Sequence, residues 1–122
     1  MYNAGFESAR IRDLAERFPK RRNALLALID RIVDLLPIAR DYYYHPSQHG
    51  SWSIKAVLPA VCPELDYEQL AGVKDGGMAM DAYVEAIHPD VMPERKAELE
   101  SQLWAYCEMD TWAMVKLWEA FV

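Results

Sequence analysis

The run PERKAELESQLWAYCEMDTWAMVKLWEAFV, residues 93–122, constrains this chain more than any other stretch. Pro93 stands where a helix tolerates proline, in the first turn, and Glu94 follows where the helix dipole favours an acid. From there Leu99, Leu103, Tyr106, Cys107, Asp110, Met114, Leu117 and Phe121 recur at steps of three and four, the period of a long helix with one face turned to a core. Asp110 is the misfit in that stripe. An ionised carboxylate on an apolar face is costly unless it is paired or binds a metal. Tyr106 lies four residues earlier, so its hydroxyl and the carboxylate share one face about one turn apart. Two readings stay open for Asp110: a structural hydrogen bond or salt bridge, or a functional carboxylate.

The other segments also read as helices. Phe6, Ile11, Leu14, Ala15 and Phe18 mark a first helix that Pro19 ends. KRRNALLALIDRIVDLLPIARDYYY predicts a second, longer helix carrying Leu25, Leu28, Ile29, Ile32, Leu35 and Leu36 on one face and perturbed near Pro37. HPSQHGS is turn chemistry, after which Ser51 or Ser53 is placed to cap a short helix, IKAVLPAV. PELDYEQL is a short turn or helix, AGVKDGG a loop, and MAMDAYVEAIH a further helix closed by Pro89. The expectation is a mostly α-helical chain of five or six helices, in one domain spanning 1–122, with no repeat or linker.

Composition narrows the function classes. With 122 residues, 52% of them hydrophobic, the chain can bury a core of its own. A net charge of −6 argues against a protein that grips the phosphate backbone broadly, because such binding rests on Lys and Arg, and any nucleic-acid contact has to be local. Cys62 and Cys107 lack metal-ligand spacing and are expected as two reduced, largely buried thiols. No basic-then-apolar leader and no long apolar run is present, so the expectation is a cytoplasmic protein that does not span a membrane.

At the N-terminus, YNAGFE brings Asn3 to a helix start as a plausible N-cap and Glu7 into the first turn. YNAGFE, an LAxxFP helix, GSWSIKAVLP and a terminal YCEMDTWAM together resemble a bacterial family catalogued as domain of unknown function 2779, over nearly the whole chain. These motifs are in turn similar to the C-terminal part of ribonuclease-H-like 3′–5′ exonucleases of the DEDD type. Tyr106-Cys107-Glu108-Met109-Asp110 fits the Tyr-x-x-x-Asp motif of such enzymes residue by residue, and Asn3 to Glu7 fits their second motif with Glu7 in place of Asp. The resemblance implies the helical C-terminal part of that α/β fold without its N-terminal sheet. It further implies Glu7 and Asp110 as ligands of Mg or Mn in a two-metal centre, and Tyr106 as the group that orients the attacking water. The substrate so implied is the 3′ end of a single-stranded nucleic acid. The fold's opening Asp-x-Glu motif has no counterpart before Asn3. Asp66-Tyr67-Glu68 comes too late in the chain to replace it, so the expectation is a piece or truncated relative of a longer nuclease, inactive alone.

Other candidates are weaker. Lys55, after the tyrosines 42–44, is placed to contact a substrate phosphate, with Asn3 as a second substrate-binding residue. His45 and His49 flank Pro46 and Gly50, so no helix holds them for zinc. Lys20, Arg21 and Arg22 form the one basic cluster, at a helix start. The rival to the nuclease reading is a non-catalytic helical module that binds a partner, or a second copy, through an exposed apolar face.

Overall fold

Helix-forming runs separated by proline and glycine punctuation give six α-helices and no β-strand in the computed structural model, which describes residues 1–122. The mostly α expectation is met. The helices fall into two compact units, Met1–Tyr44 with Phe121, and His45–Ala120 with Val122.

In the first unit, α1 (Gly5–Arg17) carries Glu7 in its first turn and buries Ala15. Phe18 leaves helical geometry, and Pro19 opens a single 3-10 turn, Pro19–Arg21. This turn leads into α2 (Arg22–Ile29), which packs on α1. The long helix expected from residue 20 onward does not form as one piece. It stops at Ile29, and a new helix, α3 (Leu35–Tyr42), starts after five intervening residues.

The cause of the break is Asp34. Its backbone is extended, at φ −94° and ψ 117°, and its carboxylate accepts from the Leu36 N–H as the N-cap of α3. Pro37 then sits in the first turn of α3, where a missing N–H costs nothing, and it does not kink a longer helix. The same carboxylate accepts from the Asn3 N–H at 2.8 Å and the Ala4 N–H at 2.9 Å. Beside it the Met1 amino group donates to the Val33 carbonyl and the Leu35 N–H donates to the Met1 carbonyl, both at 2.9 Å. This is the bonding of a single parallel bridge. Asn3 is therefore not the cap expected of it. It adopts the left-handed region at φ 61°, which Asn tolerates better than most residues, while Ala4 occupies the N-cap without a side-chain bond. Leu35 and Ala39 form the buried side of α3, and the ring of Tyr43 meets that of Phe121 at 5.4 Å.

The second unit opens with a turn built on a buried polar side chain. Gln48 is 2% exposed; its Oε1 accepts from the His45 N–H and its Nε2 donates to the Ser51 carbonyl. His45 reciprocates by accepting from the Ser47 N–H, so both its ring and Gln48 are used in a capping box over the 3-10 turn Pro46–Gln48. Ser53 stands at the N-cap of α4 (Ile54–Val61), but its hydroxyl accepts from Ser51 and makes no cap bond. Val57 and Leu58 are the fully buried side of α4. A second 3-10 turn, Tyr67–Gln69, is capped by Asp66. Helix α5 (Gly76–Ala86) is capped by Asp75 through the Met78 N–H.

The last helix, α6 (Pro93–Phe121), is one continuous rod, as its opening proline and periodicity predict. Leu99, Ala113 and Leu117 are buried along it, and each fully buried leucine contributes about 2 kcal/mol. Val73, Ala82, Ala86 and Leu99 form a core cluster, with Ala79, Leu103 and Tyr106 packed against it. Gly72, at φ 76°, lets the loop pass so close to α6 that a β-carbon there would collide with the Gln102 side chain. One expectation fails on this helix. Both cysteines are free thiols, but only Cys62 is buried; Cys107 is exposed, because the inward positions of α6 run through Tyr106, Asp110 and Ala113.

Asp34 satisfies three backbone donors at once, two of them thirty or more residues away in sequence. Asp34→Ala is expected to lower stability by about 2–3 kcal/mol, read in urea unfolding, whereas Asp41→Ala on the exposed side of α3 changes it little.

Candidate functional site

The carboxylate that breaks the stripe of α6 is half-buried and is met by phenols. The Tyr67 hydroxyl donates to Asp110 Oδ1 at 2.6 Å, a charge-assisted bond at the short end of the range. Tyr67 is itself 2% exposed and comes from the capped turn before α5, 43 residues away in sequence. Tyr106 completes the group. Its ring lies 6.1 Å from that of Tyr67, tilted by 56°. Burial, followed by the charge of Asp110 and a hydrogen bond to it, pushes the Tyr106 hydroxyl up to about 12. Burial and the bond to Asp110 push Tyr67 up further still. The ion pairs of this unit lie elsewhere, so the Asp110 carboxylate is met by hydroxyl donors and not by a cation.

One side of this group is bounded by the start of α5. A β-carbon on Gly76 would stand 4.0 Å from the Tyr106 hydroxyl, and Asp75, the cap of that helix, adds its charge to those acting on Tyr106. Asp75 is held below the usual carboxylate range, chiefly by the Met78 N–H and also by Lys55, whose Nζ lies 3.7 Å from its Oδ2. Lys55, expected as a phosphate contact, therefore sits on the same unit as Tyr106 and Asp110. It is held only by a solvent-exposed pair of the kind worth a fraction of a kcal/mol.

Glu7 and Asn3 belong to the first unit. Asn3 uses its backbone N–H to reach Asp34. Glu7 Oε2 is buried and has no hydrogen-bond partner, an expensive state for a carboxylate oxygen. A divalent cation is the partner that hard oxygen donors of this kind accept best. In kind, then, Glu7 and Asp110 fit Mg or Mn; in number they fall short. No group of three or more Asp, Glu, His or Cys side chains is gathered where it could hold a metal ion. Asp66-Tyr67-Glu68 does not fill the gap, because Asp66 caps its own turn and Glu68 is paired with Lys74 at 3.3 Å.

Tyr67 is the residue that sequence reading missed. PELDYEQL offers one aromatic among acids and amides, and an apolar ring in a polar turn is a sign that the ring is buried. Nothing local says that its hydroxyl meets Asp110. The two histidines of the turn act in the backbone: His45 caps it, and His49 adopts the left-handed region at φ 48°.

The family model described as a domain of unknown function (DUF2779) matches residues 1–53, the stretch from YNAGFE to GSWS. No curated protein matches the chain. No solved structure matches it either. No helix is long and apolar enough to cross a membrane.

Because both phenols keep their protons to higher pH folded than unfolded, their contribution is fully present below pH 10 and is lost as pH climbs toward and past 12. Stability is expected to fall steadily above pH 10. Tyr67→Phe should cost about 1–3 kcal/mol at neutral pH, by stripping a donor from a half-buried carboxylate, and should make the alkaline decline shallower. Thermal melts from pH 7 to 11.5 follow both effects.

Proposed function

We propose that this chain is the helical part of a metal-dependent 3′–5′ exonuclease-like protein and supplies Glu7, Tyr106 and Asp110 to its phosphodiester chemistry. The observation that carries the reading is the buried, unpartnered Oε2 of Glu7. A folded protein tolerates such an oxygen where something absent from the free chain completes it. Support from the second unit is chemical: Asp110 is a hard carboxylate met by hydroxyl donors, with one oxygen engaged by Tyr67.

Mg or Mn, when bound, would supply activation of a water and stabilisation of the leaving oxygen. Glu7 on the first unit and Asp110 on the second are the carboxylates this chain would each offer to a metal. Tyr106 stays protonated throughout the physiological range and is suited to hold a water by donating to it, not to act as a base. Lys55 can exchange its weak partner Asp75 for a substrate phosphate, and Asn3, four residues before Glu7, is the second residue assigned to the substrate. Two carboxylates do not make a two-metal site, so the chain by itself is inactive in this reading and binds metal weakly.

The bond from Tyr67 favours one competing reading, in which Asp110 is a paired structural residue of a helical interaction module. Manganese titration followed by NMR line broadening separates the two. The nuclease reading expects broadening of amides around Glu7 and around Tyr106 and Asp110, each removed by Glu7→Gln or Asp110→Asn respectively. Broadening that is diffuse and the same in all three proteins sinks the metal assignment and leaves the interaction module.

A further inference from the structure

Helix α5 is built inside out. Its inward positions are the small residues Ala79, Ala82 and Ala86, which pack in the core cluster. Met80, Tyr83, Val84 and Ile87, spaced i, i+3, i+4 and i+7, are exposed by 72%, 58%, 61% and 60%. That spacing places four large apolar side chains on one stripe facing water, the pattern by which a helix packs on a partner. Met92, after the helix, is 65% exposed.

The stripe runs into a cleft of about 480 Å³ between α5 and the start of α6. Val84, Val91 and Met92 supply its apolar wall. Its rim is acidic. Asp81 and Glu85 stand one turn apart along one edge of the stripe, and Asp90 lines the cleft beside His88, whose Nδ1 lies 3.9 Å from its Oδ2. The one guanidinium there, Arg95, is already tied by Glu85 at 2.7 Å and by Glu98 at 2.9 Å, while Asp81 is in no ion pair.

From the apolar stripe and its acidic border we infer that α5 and the adjoining cleft form a docking surface for a basic amphipathic helix of another protein. Apolar side chains of the partner cover Met80, Val84 and Ile87, one of them entering the cleft, and Lys or Arg along its flank meets Asp81 and Asp90, both oxygens of Glu85 being taken by Arg95. Charge decides against a second copy as the occupant. Two α5 helices paired antiparallel through this stripe bring the unpaired Asp81 of each copy to the same side, and two chains of net charge −6 add a long-range repulsion. The same border opposes an anionic lipid surface. The surface lies wholly on the second unit and does not depend on the metal reading of Glu7 and Asp110.

A fluorescent amphipathic peptide of leucine and lysine, titrated into the full chain by anisotropy, tests this against a peptide with glutamate in place of lysine. The expected result is binding of the lysine peptide that weakens with salt, with amide shift changes confined to residues 80–92. Affinity should fall about tenfold or more in the triple variant M80S, V84S, I87S and several-fold in Asp81→Lys. All four positions are exposed, and circular dichroism checks that the helices persist; should the triple variant unfold, Asp81→Lys alone decides. Equal binding of the two peptides, or shifts mapping elsewhere, overturns the proposal. So does a dimer in sedimentation that the serine variant dissolves, which would make a second copy the occupant, or preferential binding to vesicles of neutral lipid.

Discussion

A carboxylate in the inward stripe of a long helix persists only if something solvates it, and here a buried tyrosine does. The bond from Tyr67 to Asp110 joins the turn before α5 to the middle of α6, across 43 residues of sequence. It orders both partners. Tyr67 gains a place to put its hydroxyl when its ring is buried, and Asp110 gains a strong donor where water is scarce. Tyr106 is drawn into the same group and packs at the margin of the core cluster of Val73, Ala82, Ala86 and Leu99. Replacing the pair by apolar residues of like shape could leave stability unchanged, whereas removing one partner could not. The group specifies how α6 is seated more than it adds energy.

The first unit repeats the principle with a different acid. Asp34 is bound by the N–H groups of Asn3, Ala4 and Leu36, which end one segment and begin two helices. Its charge is spread over backbone donors, as in a good N-cap, with the addition that donors distant in sequence share it. Glu7 is the contrast. One of its oxygens is buried with no donor at all. Three acids in polar company thus have three states: satisfied by backbone, satisfied by phenols, and incomplete. The incomplete one leaves a buried oxygen without a donor, a costly state for a carboxylate.

Much of this was legible before the structure. The period and the opening proline of residues 93–122 give one helix from Pro93, and Pro19 ends α1 where its ring forbids continuation. Tyr106 and Asp110 share a face because their spacing on a helix leaves no other arrangement. The split between α2 and α3 was also present in the letters, as an acid followed three residues later by proline, but the apolar spacing across Asp34 continued without a gap and read as one helix. Periodicity reports faces, and an N-cap overrides it when its acid finds additional donors. Cys107 shows the same weakness, since a stripe of three- and four-residue steps can be drawn through it as well as through Ala113.

What the sequence by itself determined is the class of fold, the helix ends made by proline and capping acids, and the presence of an acid where an apolar residue belongs. These follow from local rules, in which a residue's neighbours within a turn decide its state. Tertiary structure alone decided what meets that acid, which side of α5 faces water, and that one oxygen of Glu7 has no donor. The direction of α5 is the clearest case. Its alanines and its large apolar residues are both hydrophobic at helical spacing, so either side could have faced inward. Close packing against Val73 and Leu99 selected the small one, because only alanines let the helix approach that near.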